Sequence, residues 1–177
     1  EESGEAARRA QQLESRGQYQ EAANIYEDLL RRDPQSPRLL NDLGVIYARM
    51  GRYREAIASY QKALKFDPRS APLLANLGLA YFKSGEFRKA VTPLRQAAKA
   101  DPQSSRVRTL LAMAYYGAGD YAEAARHLEG IARSEPTNTQ LQYLLAQSYL
   151  WSGQYPKVIQ TFDWLLRHQP DSAAAHM

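Results

Sequence analysis

The chain has 177 residues, 44% of them hydrophobic and 24% charged, which is enough apolar material for a packed core and argues against wholesale disorder. It has no cysteine, so a disulfide scaffold, thiolate zinc sites and a thiol nucleophile are excluded, while the compartment stays open. Its 23 basic and 19 acidic residues leave a net charge of +4, an excess too mild to argue for nucleic acid, and no apolar run approaches the length that spans a bilayer.

The chain opens Glu1-Glu2-Ser3 without a methionine, as a processed or trimmed piece would. From there one local pattern recurs: Gly, any residue, an aromatic, two residues, then a small or β-branched residue. It runs Gly17-Gln18-Tyr19 with Ala22, Gly51-Arg52-Tyr53 with Ala56, Gly85-Glu86-Phe87 with Ala90, Gly119-Asp120-Tyr121 with Ala124, and Gly153-Gln154-Tyr155 with Val158. Each glycine lies 34 residues after the last. Pro34, Pro68, Pro102, Pro136 and Pro170 keep the same phase, as do Tyr47, Tyr81, Tyr115 and Tyr149. The pairs Leu43-Gly44, Leu77-Gly78, Leu111-Ala112 and Leu145-Ala146 keep it too.

Each unit reads as two helices. Leu40, Leu43, Gly44 and Tyr47 stand at helical spacing, and so do Tyr53, Ala56, Ile57, Tyr60, Ala63 and Leu64. Gly51 is the turn residue between them, and Asp67-Pro68 ends the second helix, because the residue before proline avoids the α region. No segment alternates with the period of a strand. The fold class is all-α, a single array over 1–177 with repeats at 3–36, 37–70, 71–104, 105–138 and 139–172. The 3–36 unit is degenerate, with Ala6, Arg9, Ala10 and Leu13 at its anchor positions, and reads as an N-terminal cap. Residues 173–177 read as the start of a sixth repeat, so a longer parent chain is expected. Ala22, Ala56, Ala90 and Ala124 on second helices are expected to face Gly44, Gly78, Ala112 and Ala146, with tyrosines, Tyr155 included, filling the seams.

These columns resemble the tetratricopeptide repeat (TPR) family over nearly the whole chain, most closely at Asn41-Asp42-Leu43-Gly44-Val45-Ile46-Tyr47 and Ala75-Asn76-Leu77-Gly78-Leu79-Ala80-Tyr81. The resemblance implies a right-handed superhelical α-solenoid of antiparallel helix pairs, whose first helices line a concave groove for a peptide or protein segment. Carried onto this sequence, the peptide-binding groove consists of Arg38, Asn41, Val45, Arg49, Asn76, Leu79, Phe82, Lys83, Arg106, Met113, Tyr116, Tyr143, Gln147 and Trp151. The set is basic toward one end and apolar and aromatic toward the other, which suits a partner with acidic and hydrophobic parts. A chaperone carboxylate clamp is disfavoured. In the best frame, Asn41, Val45, Asn76, Arg106 and Leu110, only Asn76 matches and Arg106 is a basic stand-in.

No catalytic, metal or cofactor constellation stands out. His127, His168 and His176 read as surface residues, and no Gly-rich phosphate loop exists. Glu27-Asp28 and Arg31-Arg32 read as a solvated i, i+4 face. Trp164, whose equivalents are Lys62, Gln96 and Gly130, marks a candidate second interface. Charge is uneven: residues 37–70 carry seven basic against three acidic side chains and 71–104 carry five against two, while 1–36 are net acidic. Nucleic acid calls for a continuous basic stripe with interleaved aromatics, whereas many of these cations, such as Arg54, Lys62, Arg88 and Lys99, belong to second helices, on the convex side, which disfavours it. The expected function is a non-catalytic protein-interaction scaffold. The alternatives are a self-assembly module acting through the array ends, or a substrate-recruiting arm of a longer enzyme.

Overall fold

The computed structural model describes residues 2–168, with Glu2 by its backbone alone. These residues form ten helices and no strand. They are α1 (Glu2–Ser15), α2 (Tyr19–Arg32), α3 (Pro37–Arg49), α4 (Tyr53–Phe66), α5 (Ala71–Lys83), α6 (Phe87–Ala100), α7 (Ser105–Ala118), α8 (Tyr121–Ser134), α9 (Thr139–Trp151) and α10 (Tyr155–His168). Pro170, His176 and the expected opening of a sixth repeat at 173–177 lie outside the described residues. The chain divides after Asp101 into two compact units, one holding α1–α6 and the other α7–α10. Each unit is built of antiparallel helix pairs in which every helix packs on its neighbours in sequence.

Local chemistry explains the boundaries. The Ser36, Ser104 and Asn138 side chains accept the N–H groups of Leu39, Val107 and Leu141 at 3.5, 3.4 and 3.2 Å, capping α3, α7 and α9. Pro37 is the first residue of α3, where a missing N–H is harmless. At the other end of α3, Gly51 takes φ +73° and the Arg52 N–H reaches back to the Tyr47 carbonyl at 2.8 Å. That left-handed residue turns the chain into α4, and glycine adopts it without the Cβ penalty.

Small residues set how closely paired helices approach. In the first unit a methyl group added at Gly44 would stand 2.6 Å from Tyr60, and one at Gly78 would strike Leu94 harder still. Ala22, Ala56 and Ala90 are fully buried in that unit. In the second unit Ala112, Ala124, Ala146 and Leu128 are likewise fully buried. Leucines such as Leu94 and Leu128 then complete the seams, each worth about 1.5–3 kcal/mol when buried.

The phase tyrosines do more than fill space. The Tyr47 hydroxyl donates to Glu27 Oε1 at 2.7 Å, and the Tyr149 hydroxyl donates to Glu129 Oε1 at 2.8 Å. Gln61 Nε2 donates to the Tyr81 hydroxyl at 2.8 Å. Each bond ties a first helix to the second helix before it, across 20 residues of chain. A cation covers the ring in each case: Arg52 lies 4.5 Å from the Tyr47 centroid, Lys89 5.9 Å from Tyr81 and Lys157 5.0 Å from Tyr149. Burial, and then the bond to Glu27, push the Tyr47 hydroxyl up to about 12.

Three expectations need correction, and one proline stands where no reading placed it. Tyr155 is 63% exposed and fills no seam, unlike the buried Tyr26, Tyr47 and Tyr60, because among the described residues no helix follows α10 to cover it. Glu27 is not part of a solvated ion-pair face. It serves Tyr47, while Asp28 pairs with Arg31 at 2.7 Å and i, i+3 spacing. His127 is half-buried rather than a surface residue, and its ring stacks on Tyr115 at 5.3 Å. Pro93 sits buried inside α6, beyond the first turn where proline is usually tolerated.

Two sets of substitutions test this packing. Gly78→Ala should destabilise the fold by about 1–3 kcal/mol through overpacking against Leu94. Gly130→Ala should stabilise it by up to about 1 kcal/mol, since the nearest outside atom, Arg108 Nη2, is 3.9 Å away. Chemical denaturation reads both. Glu129 is held below the ordinary glutamate range, first by the hydrogen bond from Lys157 and also by that from Tyr149, against the opposing effect of burial. A depressed carboxylate stabilises the fold above its unfolded pKa and loses that contribution as pH falls through its folded pKa. Glu129→Gln should therefore cost about 1 kcal/mol at neutral pH, and the difference in Tm from wild type should close as pH drops below about 4.

Candidate functional site

The residues assigned to a groove lie on first helices, and each unit is described separately. In the first unit α3 supplies Arg38, Asn41, Val45 and Arg49, and α5 supplies Asn76, Leu79, Phe82 and Lys83. The two helices touch directly. Asn76 Nδ2 donates to Asn41 Oδ1 at 2.9 Å, and Asn41 Nδ2 donates in turn to Asp42 at 3.4 Å. The amides thus form a short polar ladder, leaving part of their hydrogen-bonding capacity for a ligand backbone. Val45 and Leu79 are half-buried beside it, and Arg49 and Lys83 are exposed. Phe82 is half-buried and packs edge-on against Phe87 at 5.2 Å, so its ring is already engaged at the turn.

Sequence reading missed Asp42. Its carboxylate lies 4.0 Å from Arg38, one turn away, and offsets part of that basic charge. Burial raises its pKa, with the Asn41 bond and Arg38 opposing. The i, i+4 spacing of Arg38 and Asp42 was the available signal.

In the second unit α7 carries Arg106, Met113 and Tyr116, and α9 carries Tyr143, Gln147 and Trp151. Arg106 is exposed, at the start of α7. The Tyr116 hydroxyl donates to Gln147 Oε1 at 3.2 Å, joining the two helices. Tyr116 meets Tyr121 edge-on at 5.3 Å, and Tyr121 meets Trp151 at 6.1 Å with a 31° tilt. The Tyr116 hydroxyl is raised mainly by burial and next by nearby Tyr121, partly offset by a hydrogen bond from Trp151. These rings therefore form one cluster. Trp151 is nonetheless 63% exposed, and Met113 of α7 and Leu150, its neighbour in sequence, are also exposed. Tyr121 belongs to this cluster although its place in the repeat reads as pure packing. The signal was its position just after the turn that follows Tyr116.

Tyr143 stands partly apart. It is half-buried and meets Phe162 of α10 edge-on at 6.3 Å. Trp164 is not brought to the cluster either. Its ring stacks on His168, one turn along the same helix, at 4.1 Å and 15°. Among the described residues no group of three or more His, Asp or Glu side chains is arranged to hold a metal ion. Among them no helix is long and apolar enough to cross a membrane.

Comparison with known families places these helix pairs. Two models of the tetratricopeptide repeat match, one over residues 5–71 and the other over 48–114 and 115–177. A search of curated protein sequences finds no match. Among solved structures, the chain is similar to YrrB, a TPR protein with an unusual peptide-binding site, at 21% identity and a TM-score of 0.85, covering 97% of this chain and 88% of that one. It is similar to the MamA protein at 21% identity and a TM-score of 0.85, covering 99% and 96% of the two chains. MamA from Desulfovibrio magneticus RS-1 gives 18% identity, 98% coverage of both chains and a TM-score of 0.85. At such identities the likeness speaks to the fold.

Proposed function

The chain belongs to the tetratricopeptide repeat family, and we propose that it is a non-catalytic protein-interaction scaffold that holds a peptide or protein segment on its first-helix faces. The observation that carries this reading is Trp151. A large indole left 63% exposed is costly to keep in water, yet this one is braced by Tyr121, which in turn packs edge-on against Tyr116. A rigid, uncovered aromatic is the kind of anchor that dominates binding energy at interfaces. Met113 and Leu150 are further exposed apolar side chains on the first helices of this unit, and Gln147 and Tyr143 supply polar atoms for a ligand backbone. In the first unit Arg49, Lys83 and the Asn41–Asn76 ladder suit an acidic segment, with Arg38 weakened by Asp42. YrrB, a relative in fold, has a peptide-binding site, which supports the same class of ligand here.

The test begins with peptides selected from a random library on the wild-type chain. Isothermal titration of those peptides against Trp151→Ala should show a loss of about 1–2 kcal/mol or more. Unchanged affinity would reject Trp151 as the anchor.

A second reading, self-association, has its own observation. Tyr155, Ile159 and Leu166 of α10 are 63%, 63% and 40% exposed. Of the positions equivalent to Ile159, Ala23, Ile57 and Ala125 are no more than 8% exposed, each on a helix packed against the next first helix, and Val91 is half-buried. The open apolar stripe on α10 therefore supports pairing with a like surface. Light scattering over a concentration series should show mass rising with concentration, and Ile159→Glu should abolish the rise. A wild-type mass that stays monomeric at high concentration would remove this reading.

A further inference from the structure

The solvent faces of α4 and α6, in the first unit, differ from the same face elsewhere in that unit. On α4 the exposed cations are Arg54, Lys62 and Lys65, and on α6 they are Arg88, Arg95 and Lys99. A helix turns about 100° per residue, so each trio falls within a stripe roughly 100° wide and about 16 Å long. Arg54 and Arg88 occupy equivalent positions one repeat apart, as do Lys65 and Lys99. α4 and α6 both pack on α5, and Glu86, which precedes α6, is held below the ordinary glutamate range chiefly by the hydrogen bond from Lys89, with a minor contribution from Arg54 on α4.

None of the six forms an ion pair among the described residues, whereas the neighbouring Arg52 and Lys89 are bound to Glu55 and Glu86 at 2.9 and 2.6 Å. The matching stripe on α2 is Gln20, Asn24, Glu27, Asp28 and Arg31. It satisfies itself, Gln20 to Asn24 at 2.9 Å and Asp28 to Arg31 at 2.7 Å. A general solvated face would look like α2. The faces of α4 and α6 carry cations alone.

We infer that the outer faces of α4 and α6 form a docking surface for an anionic lipid bilayer, separate from the first-helix faces that hold a peptide. The residues between the cations, Ala58, Gln61, Thr92 and Gln96, are small or uncharged. They offer no central aromatic or apolar anchor of the sort a protein partner needs. They offer no ring on which a base could stack. Long unpaired side chains spread over two helices suit headgroups that can rearrange beneath them, where each Lys or Arg adds its own attraction. Phe66, 43% exposed directly after Lys65 at the end of α4, supplies one aromatic at the edge of the patch for the interfacial layer.

The test is sedimentation of the full chain with phosphatidylcholine vesicles, with and without about 30% phosphatidylserine, at low and high salt. Binding is expected on the phosphatidylserine vesicles only, and should be lost at high salt. Each cation neutralised should weaken it about fivefold. The pairs Lys62→Gln/Lys65→Gln and Arg95→Gln/Lys99→Gln read that step on one helix at a time. The charge-reversed quadruple at the same positions should abolish binding while circular dichroism stays helical. Should the quadruple misfold, the two Gln pairs decide alone. Arg49→Gln/Lys83→Gln, on the first-helix face, should bind vesicles as wild type does. Equal binding to both vesicle types, or equal loss from the first-helix variant, would overturn the inference. Retention of poly-glutamate or a DNA duplex by these faces, without vesicle binding, would assign them to another polyanion and overturn it too.

Discussion

The fold depends on how closely two helices of a pair can approach. At Gly44 and Gly78 the backbone of a first helix lies against Tyr60 and Leu94 of its partner, with no room for a methyl group. Once that contact is made, the rest of each helix has a fixed register. Ala56 and Ala90 fall into buried positions beneath it, and the tyrosine one turn further on reaches the preceding helix. The approach also decides which side chains are left over. A helix pair buries two stripes, one toward its partner and one toward the next pair, and all other positions are free to vary without cost to the array.

The tyrosine column shows how a repeat couples to its predecessor. At Tyr47, Tyr81 and Tyr149 the ring is buried or half-buried, the hydroxyl is hydrogen-bonded to a side chain 20 residues earlier, and a cation lies over the face, whereas Tyr115 stacks on His127. The acceptor or donor changes from Glu27 to Gln61 to Glu129, yet the geometry persists. A phenolic hydroxyl can either donate or accept, so the column tolerates both kinds of partner. This is why Glu27 and Glu129, which look like ordinary surface charges, have structural duties.

The leftover positions have taken on two distinct chemistries. First-helix faces carry an amide ladder in one unit and a braced aromatic cluster in the other. Second-helix faces on α4 and α6 carry six cations that form no ion pair among the described residues. Rigidity distinguishes the two. Tyr116, Tyr121 and Trp151 hold one another in place and present a fixed shape, as a peptide site requires. The cations of α4 and α6 are tethered only by their own flexible stems, which suits a diffuse charged surface.

Sequence alone determined the helical class, the 34-residue period, the turn glycines and most of the buried columns, because each follows from local backbone preference and a periodic pattern that one chain displays in full. The family resemblance placed Tyr116, Gln147 and Trp151 among the expected groove residues, without distinguishing them from Tyr143 or Phe82. Tertiary structure decided the rest. Tyr121 joins the aromatic cluster, Tyr143 turns toward Phe162, Phe82 is occupied by Phe87, and Trp164 stacks on His168. Tyr155, identical in phase to Tyr121, is exposed where Tyr121 is half-buried. The physical reason is the same in each case. Periodicity states which face of a helix a residue occupies, whereas the neighbour it meets there depends on a second helix whose side chains are set many residues away.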